Sequence, residues 1–325
     1  MSNALRAVLD LEPTTEDFRD SVLEGLSQPQ KTLSPKFFYD QEGSRLFDRI
    51  CETAEYYPTR TELGILTERA DAIAGKVGPG VRLVEFGSGA GVKVRLLLSA
   101  LVWPLGYMPV DISRRHLQMA AMSLARDFPK LPIAPVCADY TKPFELPNGL
   151  RGAPQTMVGF FPGSTIGNFE PDEARTFLDG ARRLLGQSSA MIVGVDLVKD
   201  ERTLHAAYND AAGVTAAFNL NLLRRINREL GGAFAIDQFE HQARWNTGLN
   251  RIEMHLVSRR DQAVSIGGVH FRFRSGETIH TENSYKYTLD GFATLAASAG
   301  YDTVTAWTDT DRLFSVHMLR ARREG

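Results

Sequence analysis

Short apolar runs alternate with amphipathic stretches through the central part of the chain. Runs of five to eight mostly apolar residues are typical of buried strands. The segments between them repeat apolar residues every three or four positions, which predicts helices packed on one side. The pattern predicts strands at 82–86, 106–111, 133–138, 156–161 and 190–197, with helices between them that include 116–127 and 171–185. This alternation favours a parallel sheet with helices on both faces and ligands at the carboxyl ends of its strands.

The pattern changes after Leu197. Thr215 is a candidate N-cap of the second of two helices, and Gly231 a candidate for its end. Antiparallel strands are expected next, and the chain then returns to a helix and two more strands. The predicted segments are helices at 200–212, 215–230 and 289–299 and strands at 251–259, 264–273, 303–307 and 313–319. A parallel sheet completed by a terminal antiparallel pair is the architecture of class I methyltransferases.

We therefore predict the α/β class, with a Rossmann-like sheet interrupted by an inserted α+β domain. Residues 61–197 and 287–325 would form the Rossmann-like domain, and 198–286 the insertion. Residues 1–60 are expected to be a mainly helical segment that packs with the insertion.

A glycine-rich loop follows the first predicted strand. Glu85 is followed by glycines at alternating positions, beginning with Gly87 and Gly89. Glycine permits both positive φ angles and close approach of a ligand to the backbone. A pyrophosphate site would avoid the carboxylate, whereas S-adenosylmethionine carries a sulfonium and an ammonium and no phosphate. We interpret the loop as a methyl-donor site, although an isolated loop of this kind can also be an ordinary turn.

Two further acids end the next predicted strands. Asp111 lies about 20 residues beyond the glycines, as expected for a carboxylate that binds ribose hydroxyls. Asp139 is followed by Tyr140, a pair that could accept from an adenine amine and pack on its ring. Each acid alone could be a turn or helix cap, but three acids in register are harder to explain in that way.

The composition sets the remaining bounds. The chain has 325 residues, 43% of them hydrophobic and 23% charged, with a formal net charge of −2. This small negative net charge does not indicate a protein that binds nucleic acid or an anionic membrane. Only two cysteines are present, no signal peptide is apparent and no apolar run approaches a membrane span of about 20 residues. We expect a cytoplasmic protein that works as a monomer.

Several longer motifs resemble one enzyme family. They are Phe38-Tyr39-Asp40, the segment from Glu55 to Glu62, Gly163-Ser164-Thr165-Ile166-Gly167-Asn168, the segment from Asp196 to Asp200, the segment from Tyr208 to Asn219, and Arg251-Ile252-Glu253-Met254. Together they resemble the histidine N-alpha-methyltransferases of ergothioneine biosynthesis, from about Lys31 to the end of the chain. The resemblance implies S-adenosylmethionine as co-substrate, histidine as acceptor and hercynine, its trimethyl betaine, as product. It also implies a Rossmann-like domain with a separate substrate-binding domain.

The resemblance assigns roles to individual residues. For the donor, the glycine loop itself indicates Glu85 and Gly89, and the resemblance implies Gly87, Lys93, Asp111, Asp139 and Tyr140, with Lys93 suited to the methionine carboxylate. Asn168 would hold the α-amino group and Tyr208 the carboxylate, while Tyr39 and Phe47 would line the transfer site. Tyr56, Glu282 and Ser284 would contact the imidazole, and Gly163, Met254 and Asn283 complete the substrate set. Asn168 and Tyr39 are the predicted catalytic residues.

Each assignment has a structural alternative. The aromatic residues could belong to a core, Asn168 could cap the helix starting near Pro171, and Glu282 could be an exposed strand charge. The histidines show no metal-ligand spacing, so no metal site is predicted. Two other functions stay open: methylation of another amino acid such as tryptophan, and a non-catalytic regulator that binds S-adenosylmethionine. The glycine loop alone would also permit an NAD-binding oxidoreductase.

Overall fold

The computed structural model describes residues 5–11, 15–89, 91–146 and 157–323. The chain divides into two compact units. The first unit comprises Met1–Glu12, Pro58–Val198 and Lys286–Gly325, and the second comprises Pro13–Tyr57 and Lys199–Tyr285.

The strands, in chain order, are β1 (Leu9–Leu11), β2 (Lys31–Thr32), β3 (Arg82–Phe86), β4 (Gly106–Asp111), β5 (Val136–Ala138), β6 (Met157–Phe161), β7 (Ala190–Asp196), β8 (Phe239–Asn246), β9 (Arg251–Ser258), β10 (Gln262–Ile266), β11 (Val269–Phe273), β12 (Thr278–Tyr285), β13 (Tyr301–Thr308) and β14 (Phe314–Ala321). The helices are α1 (Thr15–Ser27), α2 (Gln41–Cys51), α3 (Tyr57–Val77), α4 (Val92–Ala100), α5 (Arg114–Asp127), α6 (Pro171–Leu185), α7 (Glu201–Tyr208), α8 (Val214–Leu230) and α9 (Leu289–Ser298). Short 3-10 helices include Pro35–Phe38 and Thr165–Asn168.

The first unit is built on an eight-stranded sheet in the order β1-β5-β4-β3-β6-β7-β14-β13. The strands of this sheet from β1 to β7 run parallel, β14 runs antiparallel to β7, and β13 runs antiparallel to β14. One face packs against α6 and α9, and the other packs against α3, α4 and α5. The predicted α/β class, with a parallel sheet closed by an antiparallel pair, is confirmed.

The second unit contains a four-stranded sheet in the order β2-β12-β9-β8 and a β10–β11 hairpin. Its core includes Phe38 and Phe218, whose rings stack with centroids 4.5 Å apart. No helix among the described residues is long and apolar enough to cross a membrane.

Several elements differ from the sequence prediction. Residues 9–11 were expected in the helical segment but pair in parallel with β5, at the edge of the large sheet. Strand β5 begins at Val136 because Pro135 has no N–H for the ladder. The predicted strand 264–273 is two strands, since Gly267 and Gly268 make a turn with φ angles of 55° and 88°.

The start of α8 also differs. Thr215 is not its N-cap, because the helix begins at Val214 after Gly213, whose φ is 68°. The Asp210 carboxylate accepts the N–H groups of Val214 and Thr215, both at 2.8 Å, and does the work of the cap. Gly231 ends the helix in the left-handed conformation, as predicted. Residue 156, the predicted start of β6, lies outside the described residues.

Candidate functional site

The glycine loop follows β3 where the strand order reverses. The next strands along the chain, β4 and β5, lie on one side of β3, whereas β6 and β7 lie on the other. Ligands in open α/β sheets bind at such a switch point. Gly87 donates its N–H to Val110 O at 2.8 Å and has a φ of 76°. Gly91, with φ 70°, precedes the first residue of α4.

Glu85 lies inside β3 rather than on the loop surface. Its side chain is buried and accepts a short hydrogen bond from the Tyr107 hydroxyl. Burial raises the pKa of Glu85 to about 8, although Tyr107 and Lys93 oppose the shift. The predicted contact with a cation requires an ionised carboxylate, but this environment favours the neutral acid at pH 7. Contact between Glu85 and the donor stays a prediction.

Asp111 and Asp139 lie at the carboxyl ends of neighbouring strands. Asp111 is the last residue of β4; its Oδ1 accepts Ser113 N–H at 2.8 Å, and burial raises its pKa. Asp139 follows β5, and its Oδ1 accepts the Thr141 N–H at 3.0 Å and the Thr141 hydroxyl at 2.5 Å. The two acids therefore follow adjacent strands, as the predicted ribose and adenine ligands should.

Tyr140 supplies an aromatic surface beside the loop. Its ring meets Phe86, Phe161 and Phe177 edge-on, with centroids 5.8–6.2 Å apart. A Cβ on Gly87 would lie 3.6 Å from the Tyr140 hydroxyl, so the loop and the ring are already in near contact. Glycines, two carboxylates and an aromatic ring fit a ligand with ribose and adenine.

Lys93 is held by a residue whose role the sequence did not reveal. Its Nζ lies 2.6 Å from Oε2 of Glu62, whose side chain is fully buried. Both Glu62 oxygens also accept the Gly163 N–H, at 3.1 and 2.9 Å. A Cβ on Gly194 would come within 2.0 Å of Glu62 Oε1, so only glycine leaves room for the carboxylate. Glu62 thus ties the start of α4 to the loop after β6.

That loop carries Gly163 and Asn168. Ser164 takes a φ of 56°, unusual for a residue with a side chain, and its Oγ accepts the Asp196 N–H at 2.9 Å. Asn168 does not cap α6, because Glu170 is the N-cap and forms a capping box with Glu173. The capping alternative for Asn168 is therefore wrong, while its predicted role toward the amine is untested.

The aromatic candidates form a continuous series in the second unit. Edge-on contacts join Tyr39 to Phe47 at 5.8 Å, Phe47 to Tyr56 at 6.3 Å, and Tyr56 to Tyr208 at 6.2 Å, between ring centroids. Tyr56 and Tyr208 are buried, whereas Tyr39 and Phe47 keep part of their surface exposed. The Tyr208 hydroxyl lies 2.7 Å from Ser284 Oγ.

Glu282, Ser284 and Met254 share one face of the small sheet. Glu282 is paired with Met254, and Ser284 with Ile252, across the antiparallel β12–β9 ladder. Residues directly opposite one another point to the same side. Asn283 is paired with Glu253 and points to the other side. The structure therefore brings Glu282, Ser284 and Met254 together and separates the Asn283 side chain from them.

A histidine cluster lies on that other side. Glu253, His255 and His280 have side-chain ligand atoms within 4.8 Å of one another, the one such group of three in the part of the chain that the structure describes. Burial raises the Glu253 pKa, but hydrogen bonds from Asn246, Arg251 and His255 prevail and lower it to about 2. The Arg251 guanidinium, 2.8 Å from Glu253, already supplies a positive charge. That the histidines bind no metal stays a prediction.

Comparison with known proteins identifies the family of this chain. The family model described as histidine-specific methyltransferase, SAM-dependent, matches residues 18–321. A histidine N-alpha-methyltransferase of Mycolicibacterium smegmatis is 38% identical over 315 residues, covering 95% of this chain and 96% of that one. One of Mycobacterium tuberculosis is 39% identical over 297 residues, covering 90% and 91%. A 4-dimethylallyltryptophan N-methyltransferase of Aspergillus fumigatus is 29% identical over 320 residues, covering 93% of each. The chain belongs to the family of S-adenosylmethionine-dependent, histidine-specific methyltransferases.

Proposed function

We propose that this protein adds three methyl groups in succession to the α-amino group of L-histidine and forms hercynine, in ergothioneine biosynthesis. S-adenosylmethionine, as co-substrate, supplies each methyl group as an electrophile. The nitrogen lone pair forms the new C–N bond as the S–C bond breaks, and S-adenosylhomocysteine leaves. The observation that carries the choice of acceptor is the polar pair Glu282 and Ser284 on one sheet face, with Tyr208 bonded to Ser284.

The imidazole ring suits this pair better than an indole. A carboxylate can only accept hydrogen bonds, whereas a hydroxyl can donate or accept. Glu282 and Ser284 can therefore satisfy both ring nitrogens of histidine. An indole has a single N–H and would leave one buried polar group unpaired, at a cost of about 1–3 kcal/mol.

An amide at Asn168 suits the amine that must react. The α-amine is a nucleophile only after it loses a proton. The amide oxygen can accept an N–H bond and orient the lone pair, whereas a carboxylate would favour the protonated, unreactive form. We assign Asn168 this role, with Gly163 in the same loop.

Tyr39 and Phe47 suit the later methylations. Each added methyl group removes an N–H and with it a hydrogen bond. The final product carries a quaternary ammonium, which aromatic faces stabilise by about 0.5–2 kcal/mol. The partly exposed rings of Tyr39 and Phe47 are available for this contact.

The donor would be held by the first unit. We assign the ribose hydroxyls to Asp111, the adenine to Asp139 and Tyr140, and the close backbone approach to Gly87 and Gly89. Lys93 would face the methionine carboxylate. On this proposal the unit formed by Pro13–Tyr57 and Lys199–Tyr285 is the substrate-binding domain.

Mass spectrometry of the reaction tests the proposal. The protein, histidine and S-adenosylmethionine should give a product heavier by three methyl groups. If no such product forms, the proposed reaction is wrong. Calorimetry with S-adenosylhomocysteine and NAD addresses the oxidoreductase alternative, because tight binding of NAD with no binding of the thioether would contradict the donor assignment.

Competition between acceptors tests the role of Glu282. Histidine should be methylated far more efficiently than tryptophan. Glu282→Ala should reduce that preference while binding of S-adenosylhomocysteine stays nearly unchanged. Similar efficiency on both amino acids in the unmodified enzyme would show that Glu282 does not read the imidazole.

A further inference from the structure

In the middle of strand β12, the regular alternation of side chains between the two faces of the sheet is interrupted. His280 is paired with His255, and Glu282 is paired with Met254, although Met254 and His255 are consecutive residues of β9. Consecutive residues in a strand point to opposite sides, and residues two apart point to the same side. His280 and Glu282 nevertheless point to opposite sides. The register shift between them is a bulge at Thr281, a device that re-aims side chains beside functional sites.

A buried hydrogen-bond network holds the bulge. Thr281 and Asn219 are 1% and 0% exposed. The Thr281 hydroxyl lies 2.8 Å from Asn219 Oδ1 and 3.0 Å from Met254 O. Both partners accept, so the hydroxyl is the donor. Its single proton is shared between the two acceptors, and this bifurcated hydrogen bond links the irregular segment to both α8 and β9.

The same amide reaches Tyr208. Asn219 Nδ2 donates to His255 O at 3.1 Å and to His241 Nδ1 at 2.9 Å. The opposite amide orientation would bring two oxygens together at His255 O, so this orientation is fixed. Nδ1 of His241 then accepts, and its Nε2 donates to Tyr208 O at 2.8 Å. Burial lowers the His241 pKa, which agrees with the neutral ring that this pattern requires.

We propose that Thr281 and Asn219 are positioning residues that set acceptor specificity. The bulge at Thr281 turns Glu282 onto the face of Ser284, and Asn219 links this turn through His241 to the backbone of Tyr208. Without the bulge, the alternation of the strand would place Glu282 on the side of His280. This inference rests on the proposed function, in which Glu282 contacts the imidazole.

Thr281→Val and Thr281→Ser form a matched pair of variants. Valine keeps the branched shape but loses the hydroxyl, and serine keeps the hydroxyl. Loss of one buried hydrogen bond that leaves Asn219 Oδ1 unpaired should raise the KM for histidine about tenfold in Thr281→Val. Thr281→Ser should stay within about twofold of the unmodified enzyme. The affinity for S-adenosylhomocysteine, measured by calorimetry, should not change in either variant.

A double-mutant cycle with Glu282→Ala separates positioning from general damage. If Thr281 acts through Glu282, Thr281→Val should raise the histidine KM by less than about twofold in the Glu282→Ala background. An equal rise in both backgrounds, or an equal defect in Thr281→Ser, would overturn the inference and leave the proposed function intact. If Glu282→Ala itself leaves the histidine KM unchanged, the imidazole assignment fails and the inference fails with it. Thr281→Ala relieves any misfit of the valine methyl group and carries the same test should the valine variant not fold.

Discussion

The ion pair of Glu62 and Lys93 allows a prediction about which of the two substitutions destabilises the fold more. The Glu62 side chain is fully buried, whereas 18% of the Lys93 side chain is exposed. Removing one partner of a buried pair costs about 3–5 kcal/mol, because the other charge stays uncompensated. The loss of stability in Lys93→Met should lie in this range, since the Glu62 carboxylate cannot reach water.

Glu62→Gln should lower the free energy of unfolding by less than about 3 kcal/mol, for two reasons. The Lys93 ammonium keeps partial access to water, and the glutamine oxygen can still accept the Gly163 N–H. The double variant leaves no uncompensated charge. Its loss of stability should therefore be smaller than the sum of the two single losses.

Denaturant unfolding of the four proteins in this cycle measures the effect. Glu68→Gln is the control, because Glu68 is exposed on the same helix and its loss should change stability by less than about 0.5 kcal/mol. A Glu62→Gln variant as stable as the control, or single effects that simply add, would show that the pair carries no coupled charge. A larger loss for Glu62→Gln than for Lys93→Met would contradict the argument from exposure.

Two further predictions concern Glu85 and Tyr39. The pKa of Glu85 is raised to about 8, so between about pH 5 and 8 the folded protein keeps a proton that the unfolded chain releases. Stability should fall by about 1.4 kcal/mol per pH unit in this window from this group alone, and the slope should flatten in Glu85→Gln. Equal slopes in the two proteins would contradict the raised pKa. Tyr39→Phe removes a hydroxyl but keeps the ring, so the first methylation should slow up to about tenfold and more than the third. Single-turnover assays from histidine and from its dimethylated form measure both steps. An equal decrease in the two rates would show that the Tyr39 hydroxyl has no role in handling the amine proton.

Local patterns predicted the large sheet well. The bounds of β3 and β4 agree with the predicted strands, because each is an apolar run that ends where polar or glycine residues begin. The bounds of α6 agree as well, because Pro171 marks its first turn. In contrast, β12 is mostly polar and is not among the predicted strands. Its conformation depends on pairing with β9, which no local pattern encodes.

The motifs indicated candidate site residues, whose roles stay predictions, but not the environments of their side chains. The motifs supplied the residues of the donor loop and the small sheet. They gave no indication that Glu62 would accept the Gly163 N–H, since this needs the space that Gly194 leaves across the sheet. The neutral form of Glu85 likewise depends on burial, whose effect on the pKa exceeds the opposing effect of the hydrogen bond from Tyr107, a residue of the neighbouring strand.

The bond between Tyr208 and Ser284 constrains how the proposed site can bind histidine. Each hydroxyl has a single proton, and their 2.7 Å contact uses one of the two. If Tyr208 donates to the substrate carboxylate, Ser284 donates to Tyr208 and can only accept from the imidazole. Glu282 can also only accept, so the ring would then need both N–H groups and bind as imidazolium. A neutral imidazole instead requires Ser284 to donate to the ring. Tyr208 then either donates its proton to Ser284 or no longer forms a hydrogen bond with it. The hydroxyl pair therefore couples recognition of the carboxylate to the protonation state of the ring.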